Sequence, residues 1–519
     1  FISTPEPRSG TVAAMEQAPD LNQLSGQQLR ELAGNLLAEV RQKDQTIERI
    51  ERQNKHYQLQ NEQYKHELAI LRRHQFARKS EILNAQQRSL LDDLVEEDLA
   101  GIEEEIGKPS APSSEAKPKQ QPKRKPLPAA LPRTVITHEP EDTRCSCGCQ
   151  MKRIGEDISE KLDYVPGTFP VERHVRGKWV CEDCETLTQA PVPAQVIDKG
   201  VPAAGLLAQV LVAKYGDHLP LYRQEKIFAR AGVEISRSTF ADWVGRCGVA
   251  LQPLVDALRQ RLHQQAVLHA DDTPVAMLKP GHKKTHRAYV WAYTSTPFSA
   301  LNTVVYDFAP NRSGEHARTF LQGWRGKLVC DDFAGYKASF RQGITEIGCM
   351  AHARRKLYDL HAANQSQIAA EALAQIARLY DIERQAKDLD DRQRLQLRQE
   401  QAKPILDLWH RWLLGQRQKV PDGSATAKAI DYSLKRWDAL IRYCEDGAVP
   451  IDNNRVENQI RPWALGRNNW LFAGSLRSGQ RAANVMSLIQ SAKINGLDPH
   501  AYLRDVLARL PTARHSDLD

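Results

Sequence analysis

The feature that most constrains this chain is an apolar run ending in two adjacent aspartates, and it occurs twice. "QAVLHADDTPVAML" reaches Asp271-Asp272, and "GKLVCDDFAGYKASF" reaches Asp331-Asp332, sixty residues further on. Short aliphatic and β-branched runs of this kind predict buried strands. Two more alternating runs, "HRAYVWAYTST" and "NTVVYDFAP", and a helical stretch, "RSGEHARTFLQGW", lie between them, and "TEIGCMAHARRKLYDL" begins as a strand and ends as a helix. The predicted order is three strands, a helix, a strand, a helix and a strand. One acidic pair falls within the first strand, the other at the end of the fourth. Carboxylates that emerge from an apolar sheet are poorly solvated, and they repel one another unless a cation neutralises them.

A third acid is needed to complete such a site, and Glu457 in "VPIDNNRVENQIRPW" is the candidate. Asn454 and Glu457 stand three apart, close to a capping box at a helix start. Arg461 follows Glu457 by four, on the same helix face. Hard oxygen ligands suit Mg²⁺ (or Mn²⁺), and two ions about 3.5–4 Å apart can serve both sides of an in-line displacement at phosphorus. Asp272 and Asp332 stay open as alternative ligands. Cys349 and His352 have metal-ligand spacing, although only two such ligands are visible there.

The 519 residues exceed what one core holds, so several domains are expected. Lysine and arginine number 72 against 64 acids, a net charge of +8 compatible with nucleic acid. The most apolar stretch, residues 200–216, is interrupted by Gln209 and is shorter than the roughly 20 residues of a membrane span. "FISTPEPRSG" lacks the basic start and apolar core of a signal peptide, so a cytoplasmic, membrane-free protein is expected. Residues before Met15 are read as upstream read-through or a leader and set aside.

Residues 25–100 are expected to form a coiled-coil dimerisation region. Leu29, Leu36, Lys43, Ile50, Tyr57, Tyr64 and Leu71 repeat every seven residues on one seam position, and Ala33, Val40, Ile47, Asn54, Asn61 and Leu68 on the other. Seam asparagines favour a defined, two-stranded register. Residues 101–133 form a Pro/Ser/Lys linker that cannot bury enough apolar surface to fold. Residues 134–190 form a zinc-ribbon-like module. Five of the nine cysteines, Cys145, Cys147, Cys149, Cys181 and Cys184, crowd here. Four of them are expected to bind Zn²⁺; Cys181 and Cys184 supply a CxxC knuckle, and the upstream pair stays open. Residues 191–260 are helical and helix-turn-helix-like, with Ser236 or Ser238 as the N-cap of the second helix. Residues 261–475 form the α/β catalytic domain with a helical insertion at about 355–450, and residues 476–519 form C-terminal helices. The fold class is multidomain α+β.

The strand order and the positions of the acids resemble the RNase H-like fold. Taken in sequence, "HADDTP", "VCDDFAGY", "GCMAHARRK" and "NNRVENQIRPWALGRNNWLFAGS" resemble the transposases of insertion-sequence family sixty-six, which are DDE recombinases. "RRHQFARKSE", "RIGEDISEKLDYVPG" and "SLIQSAKINGLDPHAYL" also look like that family, so the resemblance runs from about residue 25 to 510. It implies Asp271, Asp331 and Glu457 as a catalytic triad holding two Mg²⁺ or Mn²⁺ ions. The implied activity is cleavage at transposon ends followed by 3′-hydroxyl strand transfer into target DNA, by a homodimer acting on the bacterial nucleoid, with companion proteins from the same element. Lys283, Lys284 and Arg287 on a basic hairpin tip, and His352, Arg354, Arg455, Arg461 and Arg467, are expected to face DNA. Trp470 is expected either to stack on an unpaired base or to fill the core. The rival functions are an RNase H-like nuclease without strand transfer and a catalytically inactive zinc and coiled-coil DNA-binding regulator.

Overall fold

The computed structural model describes residues 34, 40–51, 54, 55, 58 and 127–514, the last span without 141, 145–148, 166, 199, 279–284 and 471. The chain divides into two units, Phe1–Ala69 and Ile70–Asp519. In the first unit the described residues are helical and exposed. Val40, Ile47 and Ile50, at the expected seam positions, turn apolar side chains to solvent. The rest of the expected coiled coil, and the linker up to residue 126, lie outside the described residues.

The second unit is a mixed α/β structure. Its first sheet holds β1 (Arg133–His138), β2 (Lys152–Leu162), β3 (Val171–Val180) and β4 (Leu187–Gln189). β3 is the centre, parallel to β1 and antiparallel to β2 and β4. Four helices follow: α1 (Ala204–Leu211), which runs on into a π-helical turn, α2 (Leu221–Arg230), α3 (Arg237–Ala250) and α4 (Gln252–His263). A turn at Gly232, with φ +82°, separates α2 from α3, and Ser236 is the N-cap of α3, its hydroxyl accepting from the Thr239 amide. That is the expected helix-turn-helix outline. However, α3 buries Phe240, Ala241, Trp243, Val244, Cys247 and Val249. Most of its circumference therefore packs in the core, and Ser238 in its first turn stays exposed.

The second sheet has the order β7-β6-β5-β8-β9. β5 (Val267–Met277), β6 (His286–Ser295) and β7 (Val304–Ala309) run antiparallel. After α5 (Gly314–Phe320), β8 (Lys327–Cys330) lies parallel to β5, and after α6 (Lys337–Arg341), β9 (Thr345–Gly348) lies parallel to β8. The strands and the intervening helices follow the expected order. Alternation along a strand sends neighbours to opposite faces, and the cores record it. Leu268, Ala270, Leu328 and Cys330 join one apolar cluster with α1–α4 and the C-terminal helices. Val267, Val329 and Ile347 join another with the long helical stretch that follows β9.

That stretch comprises α7 (Met350–Asn364), α8 (Gln367–Gln385), α9 (Asp391–Leu397), α10 (Lys403–Arg417), α11 (Ala425–Lys435) and α12 (Trp437–Ile441). Arg398, fully buried there, pairs with Glu383 and donates to the carbonyls of Tyr443, Asp446 and Val449. These charge-assisted bonds fix the return of the chain toward the sheet. The chain ends in α13 (Asn454–Trp470), α14 (Leu476–Ile494) and α15 (Pro499–Arg509). α14 covers the edge of β7: the hydroxyls of Ser487 and Ser491 accept from the Tyr306 and Val304 amides, satisfying donors that an open edge strand would expose. One face of the second sheet therefore shares a core with α1–α4 and the C-terminal helices, and the other face with α7–α12.

Candidate active site

β5 creates the site because its two edges are unequally covered. β6 pairs with it from Leu268 to Met277, whereas β8 pairs only with Val267, Leu268 and His269. The parallel register matches each β5 residue to one sixty positions later, Leu268 to Leu328 and His269 to Val329. Continued, it sets Asp331, the residue after β8, level with Asp271. Alternation turns Asp271 to the same face as Val267 and His269.

Beyond His269, α13 and the segment after it take the place of the missing strand. The Asn453 side-chain amide donates to the Ala270 carbonyl at 2.9 Å, Arg467 donates to the Pro274 carbonyl at 2.9 Å, and the Ala473 amide donates to the Ala276 carbonyl at 2.8 Å. Asn453 is fully buried and joins three segments. Its Oδ1 accepts from the His269 imidazole Nδ1–H at 2.9 Å, and its backbone N–H donates to Cys349 Sγ at 3.1 Å, at the start of α7. Burial holds the His269 imidazole down at about 4, so it is neutral at pH 7. α13 is thus clamped at both ends along β5, with Glu457 in its first turn.

The capping box expected at Asn454 and Glu457 does not form. Asn454 is already helical, and its side chain donates to Asp452 at 2.7 Å. The amides of Val456 and Glu457 bond to the Asn453 carbonyl, so Asn453 holds the cap position, yet its side chain serves β5. The Glu457 carboxylate faces α7 instead: Oε1 is 3.7 Å from His352 Nδ1 and Oε2 is 3.9 Å from an Arg355 nitrogen.

Asp271 feels the charges of both Asp331 and Glu457. The Asp271 carboxyl is pushed up to about 8, first by burial and then by the charge of Asp331, with Asp272 and Glu457 adding to it against the nearby Asp272 amide. A carboxyl raised by neighbouring carboxylates is one that a divalent cation would stabilise in its charged form, so the donor set fits a hard cation. The three are not gathered around a single point. Among the described residues, the sets of ligand atoms within 4.8 Å of one another are Cys149, Cys181 and Asp183, and Cys349, His352 and Glu457.

The second aspartate of each pair is occupied by arginine. Asp272 receives Arg312 through bonds of 2.9–3.0 Å, and Arg312 also stacks on Phe333 and stands 3.9 Å from Asp331. Asp332 pairs with Arg436, which also bonds Glu346 at 2.7 Å. Asp331 itself accepts from the Phe333 amide at 3.0 Å. Sequence reading missed Arg312, Arg436 and Arg355; they come from loops and helices with no periodic signal of their own.

The expected DNA-facing residues divide. Arg287, Arg354 and Arg461 are exposed. Arg455 turns inward and donates to Asn302 at 2.9 Å, and His352 faces Glu457. Trp470 packs edge-on against the buried Trp463. Lys283 and Lys284 lie outside the described residues, as do Cys145 and Cys147. In the segments before β2 and between β3 and β4, Cys149 and Cys181 converge with Asp183, while Cys184 lies exposed 3.1 Å from the Thr186 hydroxyl. Two converging thiols are a donor set that suits Zn²⁺.

Among the described residues no helix is long and apolar enough to cross a membrane. Four family models match the chain. "Transposase IS66 family" covers residues 199–481, more than half the chain, and "zinc-finger binding domain of transposase IS66" covers 142–185. "Transposase C of IS166 homeodomain", a leucine-zipper-like model, covers 63–136, and "IS66 C-terminal element" covers 487–519. Among curated relatives, the uncharacterized protein y4qI of Sinorhizobium fredii is 38% identical over 464 residues, 85% of each chain. The uncharacterized protein y4hP of the same organism is 36% identical over 76% of this chain and 75% of its own. With its catalytic-domain, zinc-finger, zipper-like and C-terminal segments all matched, the chain belongs to the IS66 transposase family.

Proposed function

We propose that this chain cleaves DNA at the ends of a mobile element and joins the freed 3′-hydroxyl to target DNA, using Asp271, Asp331 and Glu457 as the metal-binding acids of an RNase H-like core. One observation carries the reading: buried Asp271 feels the charges of both Asp331, just beyond the β5–β8 pairing, and Glu457, in the first turn of the helix that lies along the open edge of β5. When bound there, Mg²⁺ or Mn²⁺ ions would neutralise the acids and stabilise charge on the attacking and leaving oxygens. The chain's own residues prepare the place. Arg312 and Arg436 take up the charges of Asp272 and Asp332 and leave the first acid of each pair available. Asn453 fixes the N-terminal end of α13 against β5. Arg287, Arg354 and Arg461 are exposed cations suited to phosphate.

The exposed apolar residues of the N-terminal helix, Val40, Ile47 and Ile50, suit a partner helix, and two copies suit the task of holding two ends. Cys149 and Cys181, with ligands from the same module, would hold Zn²⁺.

Labelled element-end DNA and a supercoiled plasmid, incubated with the full chain and Mg²⁺, test the reading. It expects cleaved ends and a joined product. Cleaved ends without joining would favour the nuclease, and bound but uncut DNA would favour the inactive regulator.

A further inference from the structure

Cys349 and His352 stand at the start of α7, one at the N-cap and the other three residues on, so both meet the first turn of α13. There Cys349 Sγ, the His352 imidazole and a Glu457 carboxylate oxygen lie within 4.8 Å of one another. His352 Nδ1 and Glu457 Oε1 are shut off from solvent and have no hydrogen-bond partner. Their separation of 3.7 Å is too long for a hydrogen bond. It is close to the roughly 3.4 Å expected between two donors that each sit about 2.1 Å from one tetrahedral ion. The sulfur is held from behind by the Asn453 amide at 3.1 Å. Cys349 is buried, and the 23% and 26% exposure that the His352 and Glu457 side chains keep belongs to atoms other than His352 Nδ1 and Glu457 Oε1.

We propose that Cys349, His352 and Glu457 form a binding site for a borderline-soft divalent cation of the Zn²⁺ or Co²⁺ class, with water as the fourth ligand of a tetrahedral ion. Thiolate and imidazole select such ions over Mg²⁺. Binding displaces the Cys349 thiol proton to solvent and involves no redox step. Glu457 is thereby shared between a hard site with the aspartates and a softer site with α7. The inference rests on the proposed function only for that sharing; the cation site itself rests on the three donors.

Co²⁺ titration of the chelator-stripped full chain tests it. Wild type is expected to bind one more Co²⁺ than Cys349→Ser, and the variant to lose the matching thiolate-to-cobalt charge-transfer absorption. His352→Gln should weaken that step about a hundredfold. Ions in the Cys149–Cys181 module contribute equally to all three proteins and drop out of the difference. Equal stoichiometry and absorption in all three would overturn the proposal. X-ray absorption at the cobalt edge of wild type needs no variant: an ion with a single sulfur among nitrogen and oxygen neighbours is expected, and sulfur-rich shells alone would refute it. DNA cleavage in Mg²⁺ is read separately. A wild type that binds this cobalt but never cuts DNA would sink the functional reading and leave the cation site standing.

Discussion

Asp271 and Asp272 are neighbours on one strand, and Asp331 and Asp332 are neighbours just beyond another, yet the members of each pair live differently. Asp272 is clasped by Arg312 and Asp332 by Arg436, while Asp271 feels the repulsion of Asp331 and Glu457. Asn453 and Asn454 repeat the contrast. The first is fully buried and spans three segments; the second is exposed and bonds the nearby Asp452. Identical side chains one residue apart are separated by strand alternation and by where a helix begins.

The largest expected effect is on cleavage. Asp271→Asn and Asp331→Asn should each slow nicking of end DNA by at least about a thousandfold, whereas Asp272→Asn should stay within about tenfold. Initial rates on labelled DNA measure this, and equal losses for both twins would erase the distinction. Next comes Arg312→Ala, which strands the nearly inaccessible Asp272 charge. It should cost about 3 kcal/mol in urea unfolding, and part of that should return when Asp272→Asn is added.

Asp271→Asn should act in the opposite direction on the metal-free chain. The folded Asp271 carboxyl titrates near 8, above its ordinary value of 3.8. Its contribution to stability is therefore fully present below about pH 4 and lost as the pH rises through 8. At pH 9 the variant should be the more stable of the two, and at pH 4 nearly equal to wild type; thermal melts at the two pH values compare them. The smallest effect belongs to Asn454→Ala, within about 0.5 kcal/mol. Asn453→Ala, which orphans buried partners, should cost about 2 kcal/mol.

Much of this was legible in the sequence because strands announce themselves by short apolar runs, and the two Asp-Asp steps mark where those runs end. The order of strands could be read from periodicity, and the long gap between Asp331 and Glu457 pointed to the helical stretch after β9. The direction of Glu457 could not. Asn454 and Glu457 have capping-box spacing, but the helix cap falls one residue earlier, at Asn453, whose side chain is committed to long-range bonds with β5. Arg312 and Arg436 were invisible for the same reason, since their partners are 40 and 104 residues away in the chain. The helix-turn-helix outline of α2 and α3 was legible in the local pattern, whereas the burial of α3 in the same core as the C-terminal helices was not.

Anomalous diffraction from crystals of the full chain grown with Mn²⁺ and element-end DNA would test the central claim most directly. A manganese peak bridged by the carboxylates of Asp271 and Asp331, with Asp272 still on Arg312, is the predicted result. A peak on Asp272 or Asp332 with its arginine displaced, or none near Asp271, would contradict it.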